Sequence, residues 1–203
     1  GENIAAQPIP SEGKWYWEYE LLHNSGSTGN WAIVGVHTGQ SLNTGYVGIG
    51  TNDNYGWGFD SNGFAYHAYG VKHAGCPDGS ETDCWDTETA VTIGIAIDMD
   101  SGTMWYSKNG VWPEDISNGA IPIFGTSTYG DGPIAQWDDQ HGSSGLEPDS
   151  LGDTQLYPAI SITGNSTSHS IRLLTGDTVE HEPPSGFDVL GESEEPEIET
   201  DVY

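Results

Sequence analysis

Closely spaced acidic residues are the chain's first candidates for chemistry. Glu18 and Glu20 alternate in the segment WEYEL, so both carboxylates fall on one face of a strand. A glycosidase uses two such carboxyl groups as acid and base or nucleophile. A glucanase built on a related sandwich would place acids at three alternating positions, and here apolar residues follow the first two. We therefore expect two solvent-facing acids on a sheet.

A second acidic pair, Asp98 and Asp100 in DMDSG, could suggest calcium binding. Calcium takes six to eight oxygen ligands, and an EF-hand loop places further acids and a Glu after its Gly. Thr103, Met104 and Trp105 occupy those positions instead. The spacing favours capping of a tight turn, and we predict no metal site.

Other catalytic signatures are missing from the sequence. It has no nucleophile elbow, no phosphate-binding loop and no His-x-x-x-His pair, and its seven histidines are scattered. We predict that the protein is not an enzyme and uses no cofactor.

Cys76 and Cys84 are the two cysteines, and they lie eight positions apart in GCPDGSETDCW. Zinc usually needs four ligands at tighter paired spacing. A local disulfide is favoured over two free thiols, and it would stabilise the fold by roughly 2–3 kcal/mol. A disulfide points to a location outside the cytoplasm.

The charge balance is strongly acidic. Asp and Glu total 31 against four Lys and Arg, which gives a net charge of −27. This charge excludes nucleic acid and anionic membrane surfaces as partners. The acids are spread along the whole chain, which favours adaptation to high salt, as in proteins of halophilic microbes, over a basic ligand. No apolar run approaches the roughly 20 residues of a membrane-spanning helix, so we expect no membrane insertion.

Strands and tight turns must position these residues. Ile93, Ile95 and Ile97 alternate with smaller residues, which predicts a strand, and the Asp-rich turn leads into a second strand at Thr103–Ser107. Asn109-Gly110 then gives a strong turn signal. No window has sustained helical periodicity, so the sequence predicts an all-β fold.

Five sequence motifs resemble those of the SPRY domain family. They follow one another in the family's order: GKWYWE at 13–18, YGWGF at 55–59, the run from Thr92 to Trp112 with its SKNG, LYPAIS at 156–161 and PPSGF at 183–187. The resemblance implies an antiparallel, concanavalin A-like jelly-roll β-sandwich that binds other molecules and has no catalytic centre.

The resemblance also suggests how the chain is divided. We predict a lead-in at residues 1–12, a SPRY-like sandwich at 13–190 with a long loop insertion at 113–155, and an acidic tail at 191–203. The extended segment after the central hairpin resembles SPRY-like domains of virion proteins from tailed viruses.

Binding residues are expected in loops at one end of this sandwich, as the family resemblance implies. The loops expected to cluster are 24–30, 52–55, 60–63, 73–86 and 113–155. Aromatic side chains dominate binding hot spots, although core packing explains Tyr55 and Trp85 equally well. Trp137 has the least obvious core role, and with neighbouring carboxylates it also suits stacking on a sugar. The predicted ligand-binding residues are Tyr55, Trp85, Tyr129, Trp137, Asp138, Asp139 and His141.

Two functions follow from these observations. The first is a recognition module of a virion (tail or capsid decoration) or of a cell surface, which mediates protein assembly or host-receptor binding in a salty environment. The alternative is a secreted lectin-like carbohydrate-binding module. A cellular peptide-binding adaptor fits less well with the acidity and the expected disulfide. We expect an extracellular or virion-surface location, a protein or glycan partner, and a possible homo-oligomer.

Overall fold

Short β-strands form almost all of the regular structure. The computed structural model describes residues 2–5, 7–23, 31–39, 56–61, 63–67, 70–73, 90–100, 103–112, 155–163 and 169–191. Within these ranges the strands are β1 (Glu2–Ile4), β2 (Lys14–His23), β3 (Trp31–His37), β4 (Gly56–Asp60), β5 (Phe64–His67), β6 (Gly70–His73), β7 (Ala90–Asp98), β8 (Thr103–Lys108), β9 (Tyr157–Thr163), β10 (His169–Leu174) and β11 (Asp188–Val189).

The strands form two sheets. One sheet has the order β1-β9-β3-β4-β5-β6, and the other has the order β10-β2-β7-β8, with β11 added beside β2. Each named pairing is antiparallel except that of β11 with β2, which is parallel. The predicted antiparallel β-sandwich is confirmed.

The core lies between the inner faces of the two sheets. It forms because side chains alternate between the two faces of each strand, and the inward ones are apolar. On β2, Trp17, Tyr19 and Leu21 point inward, as the two-residue period predicts. On β7, Ile93 and its alternate neighbours are fully buried. The opposite sheet contributes a matching apolar face: Ala32, Val34, Val36, Trp57, Phe59 and Ile160.

The predicted central hairpin is confirmed. β7 and β8 pair from Ile93 with Lys108 to Asp98 with Thr103. Asn109 and Gly110 both have positive φ angles, +49° and +74°, which is the geometry of a type I′ turn and the reason for an Asn-Gly pair here. The turn closes with hydrogen bonds of 2.8 and 3.0 Å between Lys108 and Val111.

Residues 2–12 contribute to the sandwich from the edge. β1 is the edge strand beside β9. Ile9 is fully buried in the core and bridges to Leu156. The N-terminal segment therefore closes one side of the core.

A segment that we name the strap, Gly176–Leu190, covers the outer face of the β10-β2-β7-β8 sheet. It leaves β10 through a short 3-10 turn at Gly176–Thr178 and returns as β11 beside the first half of β2. Gly176 N–H donates to the Leu190 carbonyl at 2.9 Å, so the ends of the strap meet. Such a compact loop with neighbouring ends is an Ω-loop.

The two ends of the sandwich carry different connections. We call one of them the first end. In the β10-β2-β7-β8 sheet, the antiparallel register places the last residues of β2 and β8 and the first residues of β7 and β10 at this end. In the other sheet, the starts of β3 and β5 lie beside the ends of β4, β6 and β9. Residues 24–30 and 164–168 join β2 to β3 and β9 to β10, so these strand ends also belong to the first end.

Among the described residues, no helix has the length and apolar character needed to cross a membrane.

Candidate functional site

The residues predicted to bind a ligand lie outside the described part of the chain, and their assignment stays a prediction. The same holds for the predicted disulfide between Cys76 and Cys84. The residues concerned are Tyr55, Trp85, Tyr129, Trp137, Asp138, Asp139 and His141. The described strands nevertheless fix where each of the predicted loops joins the sandwich.

Most of the predicted loops join the sandwich at the first end. The loops at 24–30 and 60–63 start from the ends of β2 and β4, and the loop at 73–86 starts from the end of β6. The long segment that begins at Pro113 follows the turn after β8, which also lies at this end. The strand arrangement thus brings four of the five predicted loops to one end.

The loop at 52–55 does not join the sandwich at the end where the other predicted loops begin. Gly56 follows it directly and pairs with His37 at the opposite, second end of the sandwich. Tyr157, which follows the long segment, pairs with His37 as well. The 52–55 loop therefore enters the sheet away from the others, and the long segment leaves at one end and returns at the other.

A buried carboxylate, Asp60, holds the hairpin between β4 and β5 at the first end. Its side chain is fully buried. It accepts hydrogen bonds from Phe64 N–H at 2.9 Å and from the Tyr66 hydroxyl at 2.7 Å. Burial, and then the bonded carboxylate, raise the pKa of Tyr66 above its ordinary range. These hydrogen bonds hold the turn between β4 and β5.

The Asn109-Gly110 turn is a second turn at the first end that side-chain and backbone hydrogen bonds hold in place. Asn109 Oδ1 accepts from Thr92 N–H at 2.9 Å, and Asn109 N–H donates to the Thr92 carbonyl at 2.7 Å. A Cβ on Gly110 would lie 2.4 Å from Cδ2 of His181, so the glycine leaves room for the strap. The long segment after Trp112 therefore starts from a turn that is fixed to both β7 and the strap.

The prediction of two solvent-facing acids on β2 is wrong for Glu18. Its side chain has no exposed area. It accepts hydrogen bonds from the Tyr16 hydroxyl at 2.6 Å, from the backbone N–H of Glu180 at 2.5 Å and from that of His181 at 3.1 Å. The ring nitrogen Nδ1 of His181 lies 2.8 Å from Glu18 Oε1. The strap covers this face of the sheet, and Glu18 binds the strap.

Glu20 is partly exposed and is closer to the predicted solvent-facing acid. Its side chain keeps 21% of its exposure and pairs with Arg172, with Nε and Oε2 3.1 Å apart. Arg172 also approaches Glu180 of the strap, at 4.0 Å. Glu18 and Glu20 thus share a face but have different environments, because the strap covers only part of that face.

The outer face around Glu18 is densely packed. A Cβ on Gly94 would lie 2.4 Å from Ser107 Oγ and 2.7 Å from the Tyr16 hydroxyl. Gly94 stands opposite Glu18 in the sheet, so only a glycine lets the tyrosine hydroxyl reach the carboxylate. Burial, with the adjacent carboxylate of Glu18, raises the pKa of Tyr16 far above its ordinary value.

The prediction of turn capping is confirmed for Asp98, whereas Asp100 bonds the backbone just before β2. Asp98 accepts from Asp100 N–H at 3.0 Å and pairs with Lys14 Nζ at 3.0 Å. Asp100 accepts from Gly13 N–H at 3.0 Å. Among the described residues, no cluster of three or more His, Cys, Asp or Glu side chains is arranged to hold a metal ion.

Sequence reasoning missed the strap as an organised element. The contact between Glu18 and His181 spans 163 positions, and one isolated histidine in an irregular stretch gives no periodic signal. Two signals were available: the PPSGF motif at 183–187 lies within the strap, and Val179, Phe187 and Val189 are apolar residues in an acidic stretch. These three pack on the outer-face cluster of Tyr16, Ala96, Trp105 and Trp112.

A family sequence model and a solved structure are similar to this chain. The sequence model of the SPRY domain family matches residues 14–119. The crystal structure of the SPRY domain of human HERC1 is similar over 86% of this chain and 81% of that chain, with 15% sequence identity and a TM-score of 0.48. A search of the curated proteins finds no significant match.

Proposed function

The chain belongs to the SPRY domain family, and from this premise we propose that it is a recognition module of a virion or cell surface that binds a protein partner through loops at the first end of the sandwich. SPRY domains are protein-interaction modules, which accounts for the general role. The surface, partner and location are the proposed refinements.

The arrangement of the strand ends supports the proposed binding surface. Four of the five predicted loops join the sandwich at the first end, where Asp60 and Asn109 fix two hairpin turns by side-chain hydrogen bonds. Rigid strands with variable loops at one end are a common basis for recognition. This juxtaposition is the main structural support for the proposal.

The chemistry of Glu18 agrees with a binding role. A general acid or base must reach a reacting atom of the substrate. Glu18 is completely covered, and both of its oxygens accept hydrogen bonds from β2 and the strap. In this arrangement Glu18 stabilises the fold and does not face a substrate.

The proposed site within the loops is the aromatic and acidic set around Trp137. Tyr129, Trp137 and His141 would contribute apolar contact area, while Asp138 and Asp139 would accept hydrogen bonds from a basic partner. The same residues could instead bind a glycan, with the tryptophan stacked on a sugar ring. Excess acidic charge elsewhere is then an adaptation to a salty environment.

Mass spectrometry of particles purified from the source culture tests the virion proposal. We expect the protein to co-purify with intact particles at a fixed copy ratio through a density gradient. Its absence from particles and from cell-surface fractions, together with a compact monomer that binds no partner, would overturn the proposal.

A glycan array separates protein recognition from lectin activity. The array is probed with the wild-type chain, with Trp137→Ala and with Val111→Ala as the control. Val111 is exposed in the turn that precedes the long segment. A glycan signal that only Trp137→Ala abolishes would favour the lectin alternative, while a blank array is expected for a module that binds protein.

A further inference from the structure

The strap is attached to the outer face at two places, the buried Glu18 carboxylate and the pairing of β11 with β2. Two of its backbone N–H groups, those of Glu180 and His181, donate to the Glu18 carboxylate, and the His181 ring contacts the same carboxylate. Thr92 Oγ1 donates to Glu180 Oε2 at 3.1 Å. Near the second end, Leu190 N–H donates to the Tyr16 carbonyl at 2.7 Å.

Apolar contacts complete the attachment. Phe187 packs edge-on against Trp105, with ring centroids 5.7 Å apart, and lies 5.7 Å from Lys14 Nζ. Val189 is buried, and Val179 is partly buried against the same cluster. Opening of the strap would therefore expose an aromatic surface, and of the buried residues in the described inter-sheet core it would withdraw only Leu190.

The negative charge of the strap weakens its attachment to the sheet. It carries four acidic residues and no lysine or arginine; the acids are Asp177, Glu180, Glu182 and Asp188. All four are exposed on the docked strap. Exposed charges of this kind interact over about 10 Å at 0.1 M salt and over about 3 Å at 1 M.

The face beneath the strap neutralises these acids only in part, through the approach of Arg172 to Glu180. Glu18, Glu20 and Asp98 give three negative charges, and Lys14 and Arg172 give two positive charges. Lys14 lies 3.0 Å from Asp98, and Arg172 lies 3.1 Å from Glu20. Each cation thus has a carboxylate partner within the sheet, and Arg172 also lies 4.0 Å from Glu180 of the strap.

We propose that the strap is a salt-dependent element that detaches from the outer face as a unit at low ionic strength, while the sandwich stays folded. At high salt the repulsion between strap and sheet is screened, and the hydrogen bonds to Glu18 keep the strap closed. At low salt the repulsion persists and favours the open state. Glu18 is the main side-chain attachment of the strap and β11 is its main backbone attachment, so complete opening breaks both.

Hydrogen exchange on the full chain tests this proposal. The backbone amides of Glu180 and His181 are compared in 0.1 M and 2 M KCl, with exchange corrected for the denatured chain in the same salt. We expect their protection to fall about tenfold or more at low salt, as screening of several exposed charges implies. The amide of Ile95 in β7 should keep its protection.

Two single-charge variants separate local repulsion from a general effect of salt. Glu182→Gln removes one exposed charge from the strap, and Glu2→Gln removes one formal charge at a position of β1 in the other sheet. We expect Glu182→Gln to weaken the salt dependence at Glu180 and His181, and Glu2→Gln to leave it unchanged.

Three results would overturn the proposal. The first is equal strap protection at both salt concentrations. The second is loss of strap protection only together with that of Ile95, which would indicate global unfolding. The third is an equal effect of Glu182→Gln and Glu2→Gln, since the salt effect would then not arise at the strap.

Discussion

Nδ1 of His181 lies 2.8 Å from the carboxylate of Glu18, although 163 positions separate the two residues. This contact joins the second strand of the chain to a loop that follows the last long strand. Because Glu18 is fully buried and also accepts two backbone N–H groups of the strap, the contact determines the path of the chain across the outer face.

Removal of the Glu18 carboxylate should destabilise the protein strongly. Glu18→Ala leaves two strap N–H groups and the Tyr16 hydroxyl without their acceptor, so we expect the free energy of unfolding to fall by about 3 kcal/mol. Denaturant titration at constant salt measures this change. Glu20→Ala is the matched control on the same strand and face, where a partly exposed ion pair contributes up to about 1 kcal/mol. Equal losses for the two variants would contradict the role given to Glu18.

A side chain at Gly94 should disturb the same region. The Cβ of Gly94→Ala would lie 2.4 Å from Ser107 Oγ and 2.7 Å from the Tyr16 hydroxyl. We expect a loss of about 2 kcal/mol, within the range for overpacking. Adding Ser107→Ala removes the nearer clash and should recover part of the stability. A Gly94→Ala protein as stable as the wild type would show that the hydroxyl pair can move aside freely.

Alkaline pH should destabilise the fold through its buried tyrosines. Burial raises the pKa of Tyr16, Tyr19 and Tyr66 above the value of about 10 expected in the unfolded chain. Each phenol stays protonated in the folded state, so its contribution is complete below pH 10 and is lost as the pH rises above it. At pH 11.5 each of the three tyrosines should lower the free energy of unfolding by about 2 kcal/mol relative to its value below pH 10.

Tyr19→Phe tests this pH dependence, because Tyr19 is shifted mainly by burial. Thermal unfolding between pH 9 and pH 11.5 should show a shallower decline for the variant than for the wild type. Parallel declines for the two proteins would mean that the Tyr19 phenol does not contribute to alkaline unfolding.

The sequence predicted elements that depend on local pattern. Alternation on β2 identified the inward residues Trp17, Tyr19 and Leu21, and the Asn-Gly pair identified the turn after β8, where positive φ angles are required. Both properties are set by residues close together in the chain.

The sequence did not reveal what covers the second face of β2. Periodicity places Glu18 opposite the core residues, but it does not indicate that a segment 163 positions away lies over that face. The outward row was therefore assigned to solvent. Glu20, at the margin of the strap, retains some exposure and shows how local the difference is.

Partner binding at the proposed site should depend on Trp137, whereas the stability of the fold should not. Trp137→Ala is expected to reduce partner binding at least tenfold, as for an aromatic hot-spot residue. Its denaturation midpoint should match that of the wild type. Unchanged binding, or a large loss of stability, would contradict the assignment of Trp137 to the binding surface.

Zero-length carbodiimide cross-linking of purified native particles or cell-surface fractions tests the central claim most directly. This chemistry joins a carboxylate to a lysine in contact with it, and both Asp138 and Asp139 belong to the proposed surface. We predict links from these two residues, or from other loops at the first end, to lysines of a partner protein. Links confined to strap carboxylates such as Asp177 and Glu182, or no intermolecular link at all, would contradict recognition through the first end of the sandwich.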